Sequence, residues 1–126
     1  MGIPMILAFN FDDAALSTLH KLCVSLKLRC KPVPAEGFAM PLGAMVGIPV
    51  ATMPSASGTI FIEPMLVMCN LDESQFNTFL QGLRFSPLPH IDLKAVLTPT
   101  NVAWNAFQLH EELSKERDAM RRARDR

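Results

Sequence analysis

No glycine-rich phosphate loop occurs in this chain, because Gly43 and Gly47 fall in neither a P-loop nor a GxGxxG frame. His20, His90 and His110 stand in no HxxE or HExxH pattern, which removes the usual sequence signs of a histidine metal centre. The three cysteines, Cys23, Cys30 and Cys69, form no CxxC pair and no metal-ligand spacing. Charge is scarce as well. Asp, Glu, Lys and Arg make up 19% of the residues, below the soluble-protein average of about a quarter, so part of the surface is expected to lie against another subunit. The formal net charge is zero, and no global field draws the chain toward nucleic acid or an anionic membrane.

No basic segment opens the chain, and Pro4 and Asn10 interrupt its first apolar run, so no secretory leader is read there. With an odd number of cysteines, the expectation is free thiols in a reducing cytoplasm. The uncharged stretch from Phe38 to Ile62 is long enough to span a bilayer. Its prolines and glycines (Pro41, Gly43, Gly47, Pro49, Pro54 and Gly58) make it a poor membrane helix, and no membrane association is expected.

What is present is repetition. Met5-Ile6-Leu7-Ala8-Phe9-Asn10-Phe11-Asp12-Asp13 answers to Met65-Leu66-Val67-Met68-Cys69-Asn70-Leu71-Asp72-Glu73, and the match stays in phase through Leu19 and Phe79. Each copy reads as a buried strand, an Asn, an acidic pair and an amphipathic helix. Asp12 is placed to cap the first helix, whose apolar side is Leu16, Leu19, Leu22, Cys23 and Leu26. Asp72 is placed to cap the second, with Gln75 completing a capping box and Phe76, Phe79, Leu80 and Leu83 as its buried stripe. Further strands are expected over Leu28 to Val33 and Ile91 to Thr98. Thr98 and Pro99 then read as the cap and first residue of a final helix carrying Trp104, Ala106, Phe107, Leu109 and Leu113.

These elements predict one α+β domain over residues 1–126, a ferredoxin-like duplicated βαβ sandwich with an antiparallel sheet. Repeat one covers about 5–33, a long apolar connection between the second and third strands about 34–63, repeat two about 64–98, and an extra C-terminal helix about 99–123. That helix is expected over an edge or the open face of the sheet. The connection is too long to be an idle loop in so small a domain. It reads as a lid over a ligand, or more simply as an apolar flap packed on the sheet or a second subunit, with one helical turn over Pro41–Gly47.

The C-terminal part carries a resemblance. Ile91-Asp92-Leu93-Lys94-Ala95-Val96-Leu97-Thr98-Pro99-Thr100-Asn101, then Trp104, Leu109, Glu111-Glu112-Leu113 and Lys115-Glu116-Arg117, resembles a small bacterial family known only as domain of unknown function 3783. The Asn70-Leu71-Asp72-Glu73 turn fits it too, and the resemblance covers residues 64 to 117. It implies a family and no activity.

Candidate chemistry is thin. A helix start beside a strand end can hold an anion, which points to Lys94, Thr98, Thr100 and Asn101, although the same residues serve equally as caps. Asn10 and Asn70 hold equivalent places and could share a polar site with Asp12 and Asp72; as strand-to-helix turn residues they need no ligand. His20 and Cys23 are spaced to touch on one helix. Glu111 with Lys115, and Asp118 with Arg122, are spaced as helical ion pairs in a charged tail. No catalytic group, metal or cofactor is expected. The reading is a non-enzymatic, self-associating binding or regulatory module, a homodimer whose further partner is either a small anionic ligand or a protein; the alternative is a small anionic metabolite bound near the Thr98–Asn101 turn under the flap.

Overall fold

The computed structural model describes residues 3–48, 60–88 and 90–124. The part of the flap between 49 and 59, and Pro89 as a stop to the second repeat's helix, lie outside the described residues. The elements run β1 (Met5–Phe9), α1 (Asp13–Ser25), β2 (Arg29–Val33), α2 (Leu42–Met45), β3 (Met65–Cys69), α3 (Glu73–Phe85), β4 (Leu93–Val96) and α4 (Ala106–Arg124), with a 3₁₀ turn over Ala35–Gly37. The result is an α+β fold with, among the described residues, one mixed four-stranded sheet and four α-helices.

β1 and β3 are apolar throughout and take the centre, while the more polar β2 and β4 take the edges, in the order β2-β1-β3-β4. Pro32 sits in edge strand β2, where its missing N–H costs no central ladder bond. The antiparallel sheet expected of a ferredoxin-like split is corrected here. β1 pairs with β2 in parallel, β3 pairs with β4 in parallel, and only β1 and β3 run antiparallel. A β2–β3 neighbour relation is favoured by a tight hairpin. The connection of residues 34–64 is no hairpin, so each βαβ unit returns to its own first strand.

Local caps set the helix starts. The Asp12 carboxylate accepts from Ala15 N at 2.7 Å; Asp72 accepts from Gln75 N at 2.7 Å, while the Gln75 side chain accepts from Asp72 N at 3.0 Å. α1 ends in a Schellman turn, Lys27 N donating to Val24 O and Leu28 N to Cys23 O, with Lys27 left-handed at φ 60°. The helices of the two repeats meet closely at Leu22 and Gly82, where a Cβ on Gly82 would lie 2.5 Å from Leu22 Cδ1.

Alternation along the strands divides the core in two. Ile6, Ala8, Leu66 and Met68 face α1 and α3, packing on Leu19, Cys23 and Phe79. Leu7, Phe9, Met65, Val67 and Cys69 face the other way, where Phe38, Leu42, Met45 and Phe61 of the connection cover them with Ala106 and Leu109 of α4. Phe38, Leu42, Met45 and Phe61 make these parts of the flap core, its helical turn is α2, and α4 covers the face opposite α1 and α3. Backbone bonds seal the join: Leu42 N to Trp104 O and Gly43 N to Val102 O, both 2.8 Å, and Ala106 N to Phe38 O at 3.0 Å.

Two C-terminal boundaries differ from expectation. The last strand covers Leu93–Val96 rather than Ile91–Thr98. The last helix starts at Ala106 rather than Pro99, because Thr98 and Asn101 close a turn on each other and Asn105 takes over as cap. Asn105 Oδ1 accepts from Gln108 N and Gln108 Oε1 from Asn105 N, both at 3.0 Å. Trp104 therefore precedes the helix. No helix among the described residues is long and apolar enough to cross a membrane.

Candidate functional site

The sequence-predicted polar residues do not form one site. Asn10 and Asn70 stand at opposite ends of the β1–β3 pair, because Phe9 is registered with Met65 and Met5 with Cys69. Both are left-handed, at φ 65° and 63°. Asn10 Nδ2 donates to Phe61 O at 2.9 Å and Glu63 O at 3.1 Å, tying down the end of the connection; Asn70 Nδ2 donates to Ile3 O at 3.2 Å.

Thr98, Thr100 and Asn101 share a turn after β4. Asn101 is buried, and its amide is spent within the chain: Oδ1 accepts from Thr98 N at 2.8 Å and Nδ2 donates to Val96 O at 3.0 Å. Thr100 is exposed. Lys94 points elsewhere. It is registered with Leu66, a residue of the layer under α1 and α3, so its side chain leaves the sheet on the side away from the flap.

There Lys94 lines a cavity of about 330 Å³ between the end of α3 and the entry to β4. Leu80, Leu83, Leu88 and Ile91 make it apolar, and Arg84, His90 and Lys94 make it basic. Arg84 stands in the last turn of α3, where the helix dipole favours a cation. Lys94 Nζ donates to the Ile91 carbonyl, which leaves ammonium hydrogens for a second acceptor. His90 Nε2 lies 3.0 Å from Asp92 Oδ1, and Asp92 is shared with Arg121 Nη2 at 3.2 Å. Among the described residues no carboxylate comes within ion-pair distance of Arg84 or Lys94. An apolar lining that also holds cations without a carboxylate partner among the described residues suits a small anion that carries a hydrocarbon portion.

The basic groups come from the end of α3, the following turn and β4, all inside the unit that runs from Pro64 into α4. Residues 64–120 match the family described as domain of unknown function DUF3783. No curated protein and no solved structure matches the chain. The DUF3783 segment holds every basic lining residue of the cavity, whereas α1 and β2 lie outside it. Its start at Pro64 leaves out Glu63, the residue that joins the connection to α4.

Glu63 is the centre of a second cluster. Its carboxylate receives Arg117 Nη1 and lies 3.2 Å from His110 Nε2, while the His110 ring stacks on Phe61 at 4.1 Å. The Arg117 guanidinium, by donating to it, holds the Glu63 carboxyl below the ordinary glutamate range, against a smaller opposing effect of burial. An open cavity of about 520 Å³ adjoins, lined by Phe61, Phe107, His110 and Ser114 among others. The Ser114 hydroxyl is shielded and makes no hydrogen bond, so it is not engaged with the imidazole as a nucleophile would be. The arrangement works as a latch between the connection and α4. Sequence reasoning missed it because Glu63 lies 47 and 54 residues from its partners His110 and Arg117 on α4.

Of the tail pairs, Lys115 meets Glu111 at 3.4 Å as spaced, whereas Arg122 Nε donates to the Asp118 backbone carbonyl and the Asp118 carboxylate lies 3.6 Å from Arg117 Nε. His20 does not partner Cys23, which is buried against Cys30 instead. Among the described residues no group of three or more His, Cys, Asp and Glu side chains is placed to hold a metal ion.

Proposed function

We propose that this protein is a non-enzymatic binding module for a small amphipathic anion, held in the cavity of Arg84, His90 and Lys94. The observation that carries the reading is the pairing of Leu80, Leu83, Leu88 and Ile91 with two cations that no carboxylate neutralises among the described residues. A carboxylate or phosphate would sit at the mouth on Arg84 and Lys94, with its apolar part against the leucines. The ligand site thus moves from the Thr98–Asn101 turn to the opposite face of the sheet, with Lys94 retained.

Calorimetric titration with linear carboxylates from acetate to octanoate tests this. Affinity rises with chain length, falls with added salt, and is lost in the Arg84→Gln/Lys94→Gln double variant. Equal binding by the double variant and the unaltered protein, or no binding of any member of the series, removes the proposal.

Self-association is the second reading. Ile60 and Ile62 are 61% and 85% exposed on either side of buried Phe61, an exposure that a second copy would relieve. A monomer by native mass spectrometry at micromolar concentration would sink it. The matched caps, helix lengths and left-handed Asn turns of the two βαβ units further support reading the chain as an internal duplication within a single domain.

A further inference from the structure

Cys23 and Cys30 lie on adjoining elements outside the anion cavity. The Cys23 carbonyl accepts from Leu28 N at 2.8 Å, so the chain turns back at once after α1 and enters β2. In the parallel β1–β2 ladder Cys30 is registered with Ile6, and Ile6 belongs to the layer beneath α1. The Cys30 side chain therefore points at α1, into the layer where Cys23 is wholly buried. Cys30 packs in the same layer as Cys23, and the interaction of the two thiols lowers the Cys30 pKa and, together with burial, raises that of Cys23. Cys30 is half-buried and lines an open cavity of about 400 Å³ with Asp13, Leu16, Ser17, His20 and Pro32. One thiol is thus reachable from solvent, with its partner sealed behind it. The third cysteine differs: Cys69 is buried in the opposite layer, pushed up to about 12 by burial alone.

We propose that Cys30 is a peroxide-sensitive thiol and that Cys23 resolves it to an intramolecular disulfide joining α1 to β2. A hydroperoxide enters the cavity, and the Cys30 sulfur attacks its O–O bond. A sulfur–oxygen bond forms as the O–O bond breaks, and the distal oxygen leaves as water or an alcohol, so two electrons pass from sulfur to the peroxide. The Cys23 sulfur then attacks Cys30, the S–O bond breaks, and water departs with the Cys23 proton. Two thiols and one hydroperoxide become one disulfide, one water and one further water or alcohol. Asp13 at the cavity makes a neutral oxidant, hydrogen peroxide or an alkyl hydroperoxide, the fitting class. The inference does not depend on the anion site.

The test is brief treatment of the full chain with hydrogen peroxide, then alkylation under denaturing conditions and mass analysis. The expected product has lost two hydrogens and takes one alkyl group, on Cys69. Because Lys27 and Arg29 lie between the two cysteines, trypsin yields two separate peptides held together by the bond. In Cys23→Ser the sulfenic acid persists on Cys30 and is trapped by dimedone; in Cys30→Ser no linkage forms. Three alkylated cysteines after peroxide, dimedone labelling of Cys23 or Cys69 in place of Cys30, or linkage only between chains would overturn the proposal.

Discussion

Asn10 and Asn70 take the same left-handed backbone at opposite ends of the antiparallel β1–β3 pair, yet they hold different things. Asn10 donates to two carbonyls of the returning connection, and Asn70 to one carbonyl near the N-terminus. Asn10 is half-buried and Asn70 exposed. A left-handed non-glycine residue costs about 1–2 kcal/mol, a burden Asn tolerates better than Ala, and each lost bond adds about 1 kcal/mol. Asn10→Ala is therefore expected to destabilise by about 3 kcal/mol and Asn70→Ala by about half that. Asn10→Gly restores the backbone freedom but not the bonds, and should recover about 1 kcal/mol of the Asn10→Ala loss. Urea denaturation of the four proteins measures this. Equal losses at positions 10 and 70 would show that the two bonds to the connection contribute no more than the single bond of Asn70.

Lys27 offers the opposite sign. It occupies the left-handed position of the Schellman turn after α1, at φ 60°, and is exposed. Glycine is the usual residue there, because it has no Cβ to meet the following carbonyl. Lys27→Gly should keep both turn bonds and stabilise the protein by about 1 kcal/mol, read as a higher melting temperature. No gain would mean that unfolded-state entropy offsets the relief of strain.

The local signals were the readable ones. Asp12 and the Asp72–Gln75 box announce helix starts within three residues, and the wholly apolar runs Met5–Phe9 and Met65–Cys69 announce the two buried strands. The same type of signal at Asn105–Gln108 marks the true start of α4. The nearer pair Thr98–Pro99 masks it, because a threonine that closes a turn looks in sequence like one that caps a helix. Strand order was not readable. The choice of neighbour for β2 depends on whether residues 34–64 make a hairpin, and no short-range pattern reports that. Arg84, His90 and Lys94 meet only because α3 ends where β4 begins; the sequence singled out only Lys94 of the three, and for a different place, the helix start expected at the Thr98–Asn101 turn. Cys23 and Cys30 escaped for a related reason: a spacing that spans a helix end, a turn and a strand has no sequence signature.

The Glu63 latch gives a pH dependence of definite sign. Arg117, first, and His110 hold the Glu63 carboxyl below its ordinary value of 4.5. A depressed carboxyl stabilises the folded state fully above its unfolded pKa, and the contribution fades as pH falls through the lower folded value. The side chain is 42% exposed, so screening keeps the contribution near that of a surface pair, about 0.5–1 kcal/mol. Glu63→Gln should lower stability by that amount at neutral pH, with the difference from the unaltered protein closing below pH 4.5. Urea midpoints measured across the range decide it; a difference that stays constant or widens in acid contradicts the latch.

Asn101 separates a structural role from a binding one. Its buried amide joins Thr98 N to Val96 O, the turn that carries the chain from β4 toward α4. Truncation to Ala leaves a donor and an acceptor unpaired, at about 1–3 kcal/mol for each that stays dry. Asn101→Ala should therefore cost about 2–4 kcal/mol in denaturant unfolding. Lys94 leaves the sheet toward α3, away from the flap, and the cavity lining it joins does not include Asn101. The folded fraction of Asn101→Ala should accordingly bind octanoate with unchanged affinity, whereas Arg84→Gln/Lys94→Gln should lose binding while keeping most of its stability. If Asn101→Ala instead lost binding without losing stability, the ligand would belong at the turn after all, and the Arg84–Lys94 cavity would be only a gap between α3 and β4.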